Sequence, residues 1–322
     1  MVTLRTIEKA RKDTAALIEQ TPLVRSEFLS KLSCAEVFLK LENLQITKSF
    51  KPRGAANKLL HLNAEEVDRG IITASAGNHG QAVAYAGQKL GLPVKVVVPK
   101  TTPHVKIDGM KKYRANLVLF GDNYDEAEKR AKELARRDSC AYISPYDDEL
   151  IISGHGTVGL EIVEELPEVE VVVVPVGGGG LISGVSIAIK SIKQETEIVG
   201  VQSEASPVMY ESLKAGRIVE TKKMKTIAEG LSGGLEKGSV TFEIAKNCID
   251  RMLLVKETTI RKAVYLLWTH DRQMVEGSGA AAIAPILENN ALFKGRTVVC
   301  LITGGNIDDG LFKEILALEG SG

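Results

Sequence analysis

Short β-branched runs alternate with longer amphipathic stretches along nearly the whole chain, and this period constrains the fold more than any other feature. Apolar runs that read as strands fall at residues 37–41, 71–74, 94–98, 117–120, 171–176, 198–201, 253–255 and 298–302. Helical patterning occupies 53–62, 81–90, 124–137, 156–165, 181–192, 260–275 and 279–287. Runs that are continuously apolar belong to strands covered on both faces, and their alternation with helices implies parallel sheets. The expected class is therefore α/β, with open, doubly wound parallel sheets flanked by helices. A complete βαβαβ series runs from about residue 49 to 144 and a second from about 156 onward, which predicts two lobes. The run at 37–41 could belong to either. Ligands of such sheets sit beyond the carboxyl ends of strands, at helix N-termini.

The bulk properties narrow the function classes. At 322 residues the chain is long enough for two lobes with a cleft between them. Lys plus Arg (41) equals Asp plus Glu (41), which argues against nucleic acid or an anionic membrane as partner. No run approaches the ~20 apolar residues of a membrane span. Residues 1–20 read as a charged amphipathic helix without a signal-peptide core. The four cysteines, Cys34, Cys140, Cys248 and Cys300, form no C-x-x-C pair and are expected to be reduced core thiols of a cytoplasmic protein. The five histidines have no metal-ligand spacing, so no metal is expected.

Four stretches carry chemistry. In K-S-F-K-P-R-G (48–54), Ser49 is expected to cap a helix that tolerates Pro52 in its first turn. Lys51 would then emerge where the helix dipole lowers its pKa, as a Schiff-base amine requires; the alternative is a solvated lysine near a cap. S-A-G-N-H-G (75–80) follows a strand and suits a carboxylate, or is an ordinary turn capped by Asn78. V-G-G-G-G-L (176–181) removes four Cβ atoms before a helix, so its N–H groups can wrap a phosphate; it does not fit G-x-G-x-x-G and lacks a P-loop lysine. T-G-G-N (303–306) places the Thr303 hydroxyl at a strand end, or is one more glycine turn.

Taken in this order, with L-E-N-L-Q (41–45) and V-E-G-S-G-A-A (275–281), these stretches resemble the fold-type II pyridoxal-phosphate enzymes, and among them the threonine/serine dehydratases and serine racemases. The resemblance covers about residues 4–315. It implies a tryptophan-synthase-β-like fold in which 1–48 and 148–322 form a large cofactor-binding domain and 49–147 a small domain bearing the carboxylate loop. It implies pyridoxal 5'-phosphate held by Lys51 as a Schiff base, with Phe50 packing by the ring and Asn78 bonding its phenolic oxygen. Gly177, Gly178, Gly179 and Gly180 would cradle the phosphate, and Thr303 would meet the pyridine nitrogen. Ser75, Gly77, Asn78 and His79 would hold the substrate carboxylate, with Glu276 in the pocket wall. The implied reaction is loss of water and ammonia from L-threonine, and from L-serine, in a homodimer or homotetramer.

The chain departs from its relatives at a few positions. Racemases of the family carry a second serine where this chain has Ala76, which favours elimination over racemisation. Metal-dependent members place acidic residues near positions held here by Gln202 and Val208. Lys48 stands where most relatives have glycine, Glu229 where aspartate is common, and Thr303 replaces a serine while keeping the hydroxyl. The chain ends soon after residue 306, so a C-terminal regulatory domain is not expected. A dehydratase for another 3-hydroxy amino acid such as 3-hydroxyaspartate, a serine racemase, and a non-catalytic small-molecule binder are the alternatives.

Overall fold

The structure, a computed structural model, describes residues 1–222 and 224–320. Its ten strands are β1 (Leu23–Arg25), β2 (Glu36–Leu41), β3 (Ile71–Ala74), β4 (Val94–Val98), β5 (Asn116–Leu119), β6 (Ala141–Tyr142), β7 (Val171–Pro175), β8 (Glu197–Ser203), β9 (Arg251–Val255) and β10 (Thr297–Ile302). They form two sheets, one ordered β1-β2-β10-β7-β8-β9 and the other β5-β4-β3-β6. Every pairing is parallel except that of β1 with β2. The class is α/β, as the alternation implied, and β2 joins the larger sheet.

The strand runs were legible because both faces of each sheet are buried. In β7, Val171 and Val173 enter one apolar cluster while Val172 and Val174 enter the opposite one. β10 divides likewise, with Val298, Cys300 and Ile302 on one face and Val299 and Leu301 on the other. In the smaller sheet Ile71 and Ile72, then Val96 and Val97, split the same way. This is the period-2 alternation of a strand, with helices covering both sides.

Several boundaries differ from expectation. The first helix is Leu4–Thr14, shorter than 1–20, and opens on a capping box formed by Thr3 and Thr6. The helix expected from 156 begins at Glu149, capped by the Asp148 carboxylate. Its internal Gly154 and Gly156 argue against a helix by propensity, yet they are what allow it to pack. A Cβ on Gly154 would lie 2.3 Å from the Arg53 carbonyl, and one on Gly156 2.9 Å from the Gly184 carbonyl. The cysteines are a second correction. Only Cys300 is a core thiol; Cys34 is exposed and Cys140 and Cys248 are half-buried. No helix among the described residues is long and apolar enough to cross a membrane.

Candidate active site

Lys51 is the first residue of the helix Lys51–Leu60, whose first turn contains Pro52. Ser49 does not cap it: no side chain caps this helix, and the Ser49 hydroxyl lies 3.4 Å from that of Thr47. The turn is tied instead by backbone to the segment after β10. Phe50 N donates to the Thr303 carbonyl (3.2 Å) and Gly305 N to the Lys48 carbonyl (2.9 Å). This zipper holds Lys48 at φ +56°, a conformation that suits glycine. The Lys51 Nζ points inward, donates to the Pro145 carbonyl at 2.7 Å and lies 5.0 Å from the centre of the Phe50 ring. Burial lowers its pKa to about 8, partly opposed by the Glu276 carboxylate.

The 75–80 turn leaves the carboxyl end of β3. Ser75 Oγ accepts from Gly77 N at 3.1 Å, and Gly77 precedes the helix Asn78–Leu90, which has no side-chain cap. A Cβ on Gly77 would meet nothing within 4 Å, so the turn faces open space. A Cβ on Gly80 would lie 2.4 Å from the Ser75 carbonyl, which leaves glycine as the residue that fits. The His79 ring is turned away from this space: it is buried, with Nε2 3.2 Å from the Ile143 carbonyl. Burial and the nearby Lys51 lower its pKa to about 3, so the ring is neutral and donates to that carbonyl. What His79 offers the turn is its backbone N–H.

Asn78 sits in a line of hydrogen bonds that closes the same space. Its Nδ2 donates to Glu276 Oε1 (2.7 Å), and its Oδ1 accepts from Asn306 Nδ2 (2.7 Å), which also reaches the Thr47 carbonyl (2.8 Å). Burial raises the Glu276 pKa to about 7, against the lowering effect of the Asn78 bond. Thr303 is buried at the end of β10.

The glycines follow β7 and lead into the helix Gly180–Ile192. Gly179 is the cap residue at φ +89°, and no side chain caps the helix. A Cβ on Gly177 would strike the Gly230 carbonyl (2.8 Å), one on Gly178 the Tyr146 ring (2.4 Å), and one on Gly180 the Tyr146 carbonyl (2.8 Å). Thr241 Oγ1 donates to the Gly178 carbonyl at 2.7 Å. The turn is thus closed from behind, while the first N–H groups of the helix have no intrahelical partner. Pro145 and Tyr146, just beyond β6, join the two halves of the site: one carbonyl accepts a hydrogen bond from Lys51 and the neighbouring ring covers Gly178.

A buried amine of depressed pKa thus lies within electrostatic reach of His79 in a turn suited to a carboxylate, and its partner Pro145 adjoins Tyr146, whose ring covers an uncapped glycine helix start suited to a phosphate. The family model described as pyridoxal-phosphate dependent enzyme matches residues 15–304. The chain belongs to this family. Pyridoxal 5'-phosphate is its cofactor, and the residues present fit that group: a glycine cradle without Cβ atoms, a buried amine bonded to a neutral carbonyl, and Asn78 fixed on both sides. The L-threonine ammonia-lyase of Thermotoga maritima is 43% identical over 316 residues, covering 98% of this chain and 78% of that protein. The catabolic L-threonine dehydratase of Staphylococcus aureus is 41% identical over 312 residues, covering 96% and 90%. Among solved structures, the processed threonine deaminase isoform 2 of Solanum lycopersicum superposes with a TM-score of 0.92 at 37% identity, covering 98% of this chain and 94% of that one. Maize serine racemase superposes with the same TM-score at 30% identity, covering 99% and 98%.

Three features of this family member escaped the sequence reading. Tyr146 lies in an S-P-Y-D-D segment with no motif character. His155 was hidden inside a helix whose start was misplaced. Arg53 stood inside the lysine motif, but its partners are distant in sequence: Glu42 at 2.8 Å and Glu161 at 2.6 Å, all three side chains nearly inaccessible. A charged residue two positions after a buried lysine was the available signal. Among the described residues, no group of three or more His, Cys, Asp or Glu is placed to hold a metal ion.

Proposed function

We propose that the protein deaminates L-threonine, and L-serine, by eliminating water and then regaining it on hydrolysis, releasing ammonia and 2-oxobutanoate or pyruvate. The observation that carries this reading is the buried Lys51 amine, held by the Pro145 carbonyl at 2.7 Å, lowered to about 8, and within electrostatic reach of Glu276 and of His79 in the 75–80 turn. The names of the relatives at 41–43% identity support the substrate. In this reading 1–48 and 148–322 form the lobe that holds the cofactor, and 49–147 the lobe that brings the substrate carboxylate.

Pyridoxal phosphate supplies an electron sink conjugated to the substrate Cα. Backbone N–H groups of Gly177–Gly180 would hold the phosphate at the helix start, where the dipole favours an anion. Asn78, held between Glu276 and Asn306, would bond the ring oxygen, and the Thr303 hydroxyl would meet the ring nitrogen. Ser75, Gly77, Asn78 and the His79 N–H orient the carboxylate, which fixes the Cα–H bond toward Lys51. Neutral Lys51 takes the Cα proton. One proton, equivalent to that taken from Cα, would let the β-hydroxyl leave as water, and hydrolysis of the resulting enamine would take up one water to give the 2-oxo acid and ammonia. At position 76, alanine packs toward the small-sheet core and offers no proton on the opposite face, which favours elimination over racemisation. The reading includes a cytoplasmic homo-oligomer, a dimer or tetramer, which light scattering checks.

The test is 2-oxo acid release from L-threonine and L-serine by the purified holoenzyme, beside Lys51→Ala. Product that disappears in the variant supports the reading. A protein that holds its cofactor but releases no oxo acid from either substrate sinks the substrate assignment and directs the assay to 3-hydroxyaspartate and to serine racemisation.

A further inference from the structure

His155 is a buried ionisable residue that the mechanism above does not use. It is 1% exposed, neither ring nitrogen makes a well-aligned hydrogen bond, and the Gly180 carbonyl is the backbone acceptor beside the ring. A buried polar group without a well-made hydrogen bond is less stable there than an apolar one of the same shape. Its surroundings show where the ring acts. The helices Lys51–Leu60, Glu149–Glu165 and Gly180–Ile192 meet at glycines, with backbone against backbone. A Cβ on Gly154 would fall 2.3 Å from the Arg53 carbonyl, and one on Gly184 2.3 Å from the Ile152 carbonyl. Next to Gly154 in the chain, His155 projects a flat, rigid ring against the first of these helices. One edge abuts Gly54, where a Cβ would lie 2.6 Å from Nε2. The ring meets Phe50 edge to face, with centroids 4.7 Å apart. On the other side it lies beside the Gly180 backbone.

His155 therefore touches the residue before Lys51, and also the last glycine of the phosphate turn. We propose that His155 is a positioning residue that sets the spacing between the Lys51 turn and the glycine turn, and thereby how tightly the cofactor is held. The ring does this as a neutral imidazole. Burial holds its pKa well below the ordinary histidine value, and Lys51 and Arg53 from one helix and His79 from another push the same way, with the Gly180 carbonyl opposing. A neutral ring adds no second cation beside the Lys51 amine. The inference rests on Lys51 as the cofactor amine, and not on which amino acid is the substrate.

The experiment compares His155→Ala and His155→Leu with wild type by three readouts: the dissociation constant for pyridoxal phosphate, the pH midpoint of the holoenzyme's visible absorbance, and Tm. A loss of packing alone lowers Tm. Positioning predicts more: cofactor binding weakened roughly tenfold or more in His155→Ala, as small misplacements of reacting groups do, together with a displaced absorbance midpoint. His155→Leu refills the volume without the flat ring, so it is the variant to read where His155→Ala fails to fold; a smaller change in the same direction is expected. Wild-type affinity and midpoint in the folded variant, with only Tm changed, would overturn the proposal. Because none of the readouts uses an amino acid, a wrong substrate in the proposed function leaves this test intact.

Discussion

Arg53 offers the sharpest test of how the catalytic turn is held. Its guanidinium donates to both oxygens of Glu42 (2.8 and 2.8 Å) and of Glu161 (2.6 and 2.9 Å), and to Thr157 Oγ1 (3.1 Å). Lys40 adds contacts to Glu161 (2.9 Å) and Glu165 (2.8 Å). Two cations thus pair with three carboxylates in a region where the Glu42 side chain is 0% and the Glu161 side chain 8% exposed. Arg53→Met keeps most of the volume but leaves Glu42 with the Thr21 hydroxyl as its remaining side-chain donor. Breaking a buried pair on one side costs about 3–5 kcal/mol. With an unfolding entropy of about 2 cal/mol/K per residue, 322 residues convert that loss into a Tm drop of roughly 4–7 °C. The second variant is Arg53→Met with Glu42→Gln, which removes the stranded charge and should recover about 1–2 kcal/mol, since the two sites are coupled. Calorimetry on the holoenzymes reads both. A drop below about 1 °C for the single variant, or a double variant no more stable than the single one, refutes the view that charge pairing anchors this turn.

The pH dependence follows from Lys51. A lowered amine pKa means that the folded protein favours the neutral, nucleophilic form, so capture of pyridoxal phosphate by the cofactor-stripped protein should accelerate through pH 8 and level off above it. A midpoint near the ordinary lysine value of about 10.4 would sink the argument. Gly178→Ala places a Cβ 2.4 Å from the Tyr146 ring and forces the ring off the glycine turn, breaking its bond from Glu236 N. Cofactor affinity measured by titration should fall at least tenfold, about 1.4 kcal/mol; unchanged affinity would mean that Tyr146 does not shape the cradle.

Legibility in the sequence followed the range of the interaction. β7 and β10 could be read because each strand meets the same physical demand along its length, apolar on both faces. β1 and β6 could not: three and two residues carry no period, and they exist because β2 and β3 offer them an edge. The helix start at Glu149 was misplaced for a related reason. Gly154 and Gly156 weaken local helix propensity, and only contact with two other helices turns them into an advantage.

The same division holds at the site. The sequence by itself determined the local devices: an amine before a proline at a helix start, and glycines whose missing side chains free a helix N-terminus for an anion. These depend on neighbours a few residues away, so their spacing carries the information. Tertiary structure alone decided the rest. It turned the His79 ring inward, joined Asn78 to Glu276 across 198 residues, and put Tyr146 over Gly178. It also buried the Lys51 amine enough to bring it to about 8. Desolvation and long-range pairing are properties of the packed chain, and no local pattern encodes which carboxylate or ring will arrive beside a given amine.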